Sequence, residues 1–226
     1  RLYKEILLKK KDIRLKTGTN VNIVAISAKN INKKRNFKFS KNIFYKNPLD
    51  IAKNQKINIL FELIGFSGGI SKKVVEAALK NGKHVVTANK ALIAKNGDYL
   101  SLLAEKNKVN LEFEASVGGG IPVLRTIKDG LATNKIYRVV GILNGTCNYI
   151  LSKMEISKDT FSNVLKKAQA LGYAEPRNPK FDLNGEDTLA KVRILSALAF
   201  NKKISKNNCL LNGIENIELE DIQMAE

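Results

Sequence analysis

Several things are scarce in this chain of 226 residues, and each scarcity narrows the field. Cysteine occurs twice, as Cys147 and Cys209, without metal-ligand spacing and without the numbers for a disulfide framework. Both are read as reduced thiols of a cytoplasmic protein. Histidine occurs once, and His84 opens an apolar stretch a full strand length before any ligand crevice, so it is read as structural. No apolar run approaches the roughly 18–20 residues of a membrane span, and no secretory signal is visible. Membrane partners are therefore not expected.

Acidic residues are also few, 21 against 39 lysines and arginines, for a net charge of +18. Such a charge raises the question of nucleic acid. The distribution answers it: residues 1–56 hold 16 basic and 3 acidic residues, a balance of +13, and the other 170 residues carry +5. Of the basic residues 32 are lysine, in a chain rich in asparagine and isoleucine. That is the mark of a lysine-biased proteome more than of a phosphate-reading surface. A basic nucleic-acid-binding module is the least favoured reading, and no nucleic-acid partner is expected.

What is present is a regular alternation. Residues 2–11 read as a helix and Val21 to Ala28 as a short strand. Lys29 to Lys56 reads as a polar loop, and Ile57 to Ile64 as a buried strand ending at Gly65. Ser71 to Asn81 is a helix with Val74, Val75, Ala78 and Leu79 on one face, stopped by Gly82. His84 to Thr87 is a strand, 97–107 a helix and Val109 to Glu114 a strand. This order predicts an α/β, Rossmann-like, doubly wound parallel sheet. After Gly120 the pattern changes. Residues 121–131 read as helical, Ile136 to Leu143 as a long strand, and 145–154, 159–171 and Gly185 to Phe200 as helices. That is an α+β domain. The boundary is placed in Gly118-Gly119-Gly120, giving domains 1–118 and 119–226. The start at Arg1 inside a helix-like segment, and the stop at Glu226 just after Ile214 to Ile222, lead us to expect a chain incomplete at both ends.

Four segments carry the chemistry. Gly141-Ile142-Leu143-Asn144-Gly145-Thr146-Cys147-Asn148-Tyr149-Ile150-Leu151 reads as a strand that breaks and starts a helix, leaving free backbone N–H groups for a polar or anionic ligand. His84-Val85-Val86-Thr87-Ala88-Asn89-Lys90-Ala91-Leu92 brings Lys90 to the carboxyl end of a strand, where open α/β sheets bind ligands. Glu114-Ala115-Ser116-Val117-Gly118-Gly119-Gly120-Ile121-Pro122 combines a carboxylate with glycines that turn carbonyls toward a common centre, a donor set for a hard cation. Leu171-Gly172-Tyr173-Ala174-Glu175-Pro176 precedes Asp182 to Lys191, in which Asp187 and Lys191 sit one helical turn apart on one face. Taken alone each has a plain alternative: a connection, a surface lysine, a hinge, an exposed ion pair.

Together, and in this order, the four segments closely resemble the signatures of homoserine dehydrogenase, across roughly residues 2–222. The resemblance implies interconversion of L-homoserine and L-aspartate 4-semialdehyde with NAD(P)(H), in threonine and methionine biosynthesis from aspartate. It implies Lys191 as the proton-transfer residue, and Glu175, Asp187, Asp182 and Thr146 as the holders of homoserine. Cofactor binding falls to Lys90, Gly65, Asn89 and Gly172. A monovalent cation, sodium, is implied at Glu114 and at the carbonyls of Val117, Gly119 and Ile121. A homodimer through the sheet of the second domain is implied as well. The strand around Ile26-Ser27-Ala28-Lys29 ends without an acid, with Lys33, Lys34 and Arg35 close behind, which reads as a preference for NADP(H) with Lys29 as contact. A solvated lysine is the competing reading there.

Two departures from the family pattern stand out. The strand and glycine-rich loop that seat a cofactor pyrophosphate are not in this sequence; residues 2–28 resemble the family's first crossover helix and second strand, which come after that loop. This keeps open a second reading, a non-catalytic chain of the same fold that dimerises without binding cofactor. The loop from Pro176 to Asn184, with Arg177 and the step Asn178-Pro179, is one residue longer than usual and bears on the placing of Glu175 against Asp187.

Overall fold

In the computed structural model, which describes residues 1–32, 35, 37–176 and 178–225, the helices in chain order are α1 (Leu2–Leu8), α2 (Lys10–Thr17), α3 (Pro48–Lys53), α4 (Gly69–Lys80), α5 (Lys90–Lys106), α6 (Val123–Arg125), α7 (Gly145–Ser157), α8 (Phe161–Ala170), α9 (Lys180–Leu183), α10 (Glu186–Phe200) and α11 (Leu219–Met224). The strands are β1 (Ile26–Ser27), β2 (Phe44–Tyr45), β3 (Ile59–Glu62), β4 (His84–Thr87) and β5 (Leu111–Glu112). The chain forms two compact units: Arg1–Glu62, Gly68–Val86 and Leu100–Glu112 in the first, and Leu63–Ser67, Thr87–Tyr99 and Phe113–Glu226 in the second.

The first unit holds two sheets, β1 beside β2 in parallel, and β3-β4-β5 with β4 and β5 parallel. Strands β3 and β4 alternate burial, with Leu60, Glu62, Val85 and Thr87 inward, as the two-residue period of a strand requires. Helix α4 covers β3 with Val74, Val75, Ala78 and Leu79, the face expected from spacing. It ends at Asn81, and Gly82 comes next in the left-handed region that glycine adopts without strain. Lys83 is buried behind that turn; its ammonium donates to the Ile57 carbonyl at 2.9 Å, and burial pulls its pKa below the usual lysine range. His84 spends Nδ1 on the Asn110 N–H at 3.0 Å, a bond between neighbouring strands.

Before residue 107 the structure differs from the sequence reading in several places. The helix over 2–11 continues to Thr17 with a break at Lys9, where the backbone leaves helical geometry. The strand expected at Val21 to Ala28 is regular only at Ile26–Ser27, where β2 gives it a partner. The stretch read as loop, 29–56, contains β2 and α3, the latter started by Pro48 and capped by the Asn47 side chain. The helix expected over 97–107 begins earlier, at Lys90, because Asn89 caps it: Asn89 Oδ1 accepts the Leu92 N–H at 3.1 Å. Gly97 lies inside the helix, where an added Cβ would come 3.2 Å from Ile93 Cγ2.

In the second unit, α7 buries Thr146, Ile150 and Met154, four residues apart on one stripe, and Ile150 and Met154 share a core with Val164 and Ala168 of α8. Burial of Ile150 or Met154 is worth about 1.5–3 kcal/mol each. Tyr149 stacks on Tyr173 with ring centroids 4.5 Å apart, which lays the turn after α8 onto α7. The expected long strand over Ile136 to Leu143 is absent as a strand. Those residues are mostly apolar and carry no regular secondary structure, and neither sheet among the described residues includes them. Tyr137, Val140 and Ile142 are exposed by about three-quarters.

Candidate active site

Three pieces of the second unit converge on one carboxylate. Helix α10 starts after Gly185, whose left-handed φ of +82° lets the chain turn in, and its second residue is Asp187. Asp187 is 2% exposed. One turn along α10, Lys191 places Nζ 2.7 Å from Asp187 Oδ2 and also donates to the Leu143 carbonyl. The first residue of α5, Lys90, pairs with the other oxygen, Oδ1. Asn144, the residue before α7, donates to Asp187 Oδ2 at 2.9 Å.

Asn144 also donates to Asp182 Oδ1 at 3.0 Å, and its own Oδ1 accepts the Cys147 N–H at 2.8 Å as the cap of α7. Carboxylates only accept and a backbone N–H only donates, so these partners fix which end of the amide is which. Asp182 sits on the short helix α9. Thr146 donates its hydroxyl to the Tyr173 carbonyl at 2.7 Å and lies 3.4 Å from Asp182 Oδ2. Burial alone would push the Asp187 carboxyl up. Hydrogen bonds from Lys191, Lys90 and Asn144 outweigh it and hold Asp187 below its ordinary value. Cys147 lies within the same group, its sulfur 3.4 Å from the Asp182 carbonyl. Burial pushes its thiol up, and the charges of Asp182 and Asp187 add to that.

Of the residues singled out from sequence, Lys90, Lys191, Asp187, Asp182 and Thr146 are thus brought together. Glu175 is exposed and outside this set of contacts; its backbone carbonyl accepts from the Gln169 amide at 3.1 Å. Gly65 and Gly172 are both exposed with positive φ, +96° and +79°, conformations that favour glycine. Asn89 is buried and ties the segment after Gly65 in place, donating to the Phe66 carbonyl at 2.9 Å. Lys29 is exposed in the first unit. Arg35 donates to the Asn30 and Ile31 carbonyls and lies over the Phe39 ring, stapling its own loop. Lys33, Lys34 and Arg177 lie outside the described residues.

Sequence reasoning weighed Asn144 only for the backbone beside it. Its position directly before a helix marks a cap, and nothing in the sequence marks its second use as a bridge between two acids.

The Glu114 loop has a distinct arrangement. Both carboxylate oxygens accept backbone N–H groups at the start of α6, Leu124 at 3.0 Å and Arg125 at 2.8 Å. Gly118 and Gly119 have φ of +73° and +62°, which turns successive carbonyls. No group of three or more histidine, cysteine, aspartate or glutamate side chains able to hold a metal occurs among the described residues. One carboxylate among carbonyls suits a singly charged ion better than a divalent one.

Residues 4–114 match the NAD-binding domain of homoserine dehydrogenase. That match, with the parallel sheets, gives the class of fold: the NAD-binding domain of a dehydrogenase family. Residues 122–226 match the homoserine dehydrogenase domain itself. The homoserine dehydrogenase of Neisseria gonorrhoeae is 45% identical over 183 residues, 81% of this chain and 42% of that protein. The crystal structure of a homoserine dehydrogenase from Thiobacillus denitrificans superposes with a TM-score of 0.88 at 36% identity, over 99% of this chain and 51% of that one. A hyperthermophilic archaeal homoserine dehydrogenase in complex with NADPH gives 0.69 at 26% identity, over 93% of this chain and 60% of that one. The chain belongs to the homoserine dehydrogenase family, and it spans about half the length of these relatives.

Proposed function

We propose that the complete gene product interconverts L-homoserine and L-aspartate 4-semialdehyde with NAD(P)(H). The observation that carries this is the buried Asp187 carboxylate held between Lys90 and Lys191 in a chain of this family. The bound nicotinamide supplies or accepts the hydride. In the reducing direction the aldehyde oxygen gains negative charge, and the Lys191 ammonium stabilises that charge and delivers a proton to it. In the oxidising direction neutral Lys191 takes the proton from the hydroxyl. Asp187 orients Lys191 and, with Asp182, Thr146 and Glu175, holds homoserine; Glu175 faces the substrate's ammonium.

Gly65, Asn89, Lys90 and Gly172 would hold the cofactor, and Lys29 gives a preference for NADP(H). The NADPH complex of the archaeal relative supports that preference. Glu114 and the carbonyls of Val117, Gly119 and Ile121 would hold sodium, in keeping with the single carboxylate there. The domains divide at residues 118 and 119. A homodimer forms through the sheet of the second domain, supported by the apolar side chains of Tyr137, Val140 and Ile142 left in solvent. The protein works in the cytoplasm.

The test is loss of NADPH absorbance with L-aspartate 4-semialdehyde, on the complete gene product and on this chain. Activity in the complete product, abolished by Lys191→Ala, supports the proposal. A complete product inactive with this substrate overturns it.

A further inference from the structure

Asn144 is 6% exposed, and both its side-chain oxygen and its amide nitrogen are engaged. One amide nitrogen reaches two carboxylates from different helices, Asp182 on α9 and Asp187 on α10, at 3.0 and 2.9 Å. Two carboxylates this close repel unless a donor lies between them. Among the described residues no lysine pairs with Asp182: the lysines at hand, Lys90 and Lys191, both spend their contacts on Asp187, with Leu143 as the second partner of Lys191. The lysines offset the charge of Asp187, and the neutral amide is the donor that the two carboxylates share.

We propose that Asn144 is a positioning residue, whose amide clamps Asp182 to Asp187 and thereby fixes Asp187 in register with Lys90 and Lys191. The proposal rests on the dehydrogenase reading of this cluster and deepens it. Asn144 does no proton transfer itself; it acts through Asp187. The groups facing Asp187 are Lys191 on its own helix, Lys90 from α5, Asn144 and Cys147 at the start of α7, and Asp182 of α9 through the amide.

The clamp and the helix cap can be separated. Asn144→Ser and Asn144→Asp both keep an oxygen suited to capping α7. Serine is too short to span both carboxylates, and aspartate brings no N–H donor at all. In the complete gene product, Asn144→Ser is expected to melt close to the parent, and Asn144→Asp, which sets a third carboxylate against the other two, below it. Their kcat/KM for homoserine is expected to fall about 10- to 100-fold, the scale of lost hydrogen bonds to charged groups. The acid limb of their pH profile is expected to move to higher pH, because Asp187 is then easier to protonate. Unchanged kcat/KM and an unmoved acid limb would overturn the clamp. So would a loss of rate that only tracks a fall in melting temperature.

A carbon-13 NMR titration of the Asp187 carboxyl, without substrate, keeps the two layers apart. If the parent protein fails to oxidise homoserine, the functional reading fails, yet an upward move of the Asp187 midpoint in Asn144→Ser still supports the clamp. An unmoved midpoint in Asn144→Ser overturns the clamp whatever the activity.

Discussion

Lys90 and Lys191 come from distant parts of the chain and pair with opposite oxygens of one carboxylate, that of Asp187. Lys90 opens α5 and Lys191 lies in the middle of α10. A cation at a helix start is disfavoured by the helix dipole. Lys90 is held in that position by its partner, and this is why the arrangement reads as a site and not as a surface pair.

Replacing Lys191 by alanine in the complete gene product is expected to lower turnover at least ~100-fold, the scale of lost general acid–base help. Melting temperature should change far less than activity. Steady-state kinetics in both directions checks it, and a near-normal rate removes Lys191 from the proton-transfer role.

Asp187 gives a pH prediction with a definite sign. Its folded pKa lies below its ordinary value of 3.8. The stability it contributes is therefore complete above the unfolded pKa and is lost as pH falls through the lower, folded one. Asp187→Asn should flatten the acid side of a plot of melting temperature against pH. Thermal melts from pH 7 down to about pH 3 read this directly. An unchanged acid slope would show that Asp187 is not linked to folding.

Cys147 should label slowly. Burial and the nearby carboxylates push its thiol above the usual range, and the thiolate is the reactive form. Iodoacetamide labelling, read out by mass spectrometry, is expected to be slow at pH 7 and to speed up with rising pH. Asp187→Asn should accelerate it by removing one of the opposing charges. Rapid labelling of Cys147 at pH 7 would contradict the described surroundings.

Gly213 is a packing point. A Cβ there would lie 2.6 Å from the Leu183 carbonyl oxygen and 3.0 Å from the Asn184 Cα, both backbone atoms that cannot rotate away. Gly213→Ala should cost about 1–3 kcal/mol, the usual range of overpacking. Gly130→Ala, where a Cβ meets nothing within 4 Å, is the control. Denaturant melts of the two variants decide it, and equal stability would show that the 213 loop gives way freely.

The sequence made some of this legible and hid the rest, for physical reasons. Helix α4 and strand β4 were plain because burial tracks the helix or strand period with a glycine stop between them. The Asp187–Lys191 pair was plain because four residues make one turn. The stretch 136–143 misled because a run of apolar and β-branched residues records composition, whereas a strand needs a neighbour to bond with. Helix α3 was missed because its signal, Asn47 before Pro48, sits in a segment rich in polar residues. That Lys90 shares Asp187 with Lys191 rests on tertiary approach and has no local mark. The bridging use of Asn144 has none either.

The bond from the Cys147 N–H to Asn144 Oδ1 has one more consequence. The same side chain that holds this hydrogen also joins the two acids, so in the native protein a swing of Asn144 out of place loosens both. Deuterium uptake at the Cys147 amide thus becomes a clock for the site. Each exchange event counts one moment at which Asn144 has let go, and with it the pairing of Asp182 and Asp187.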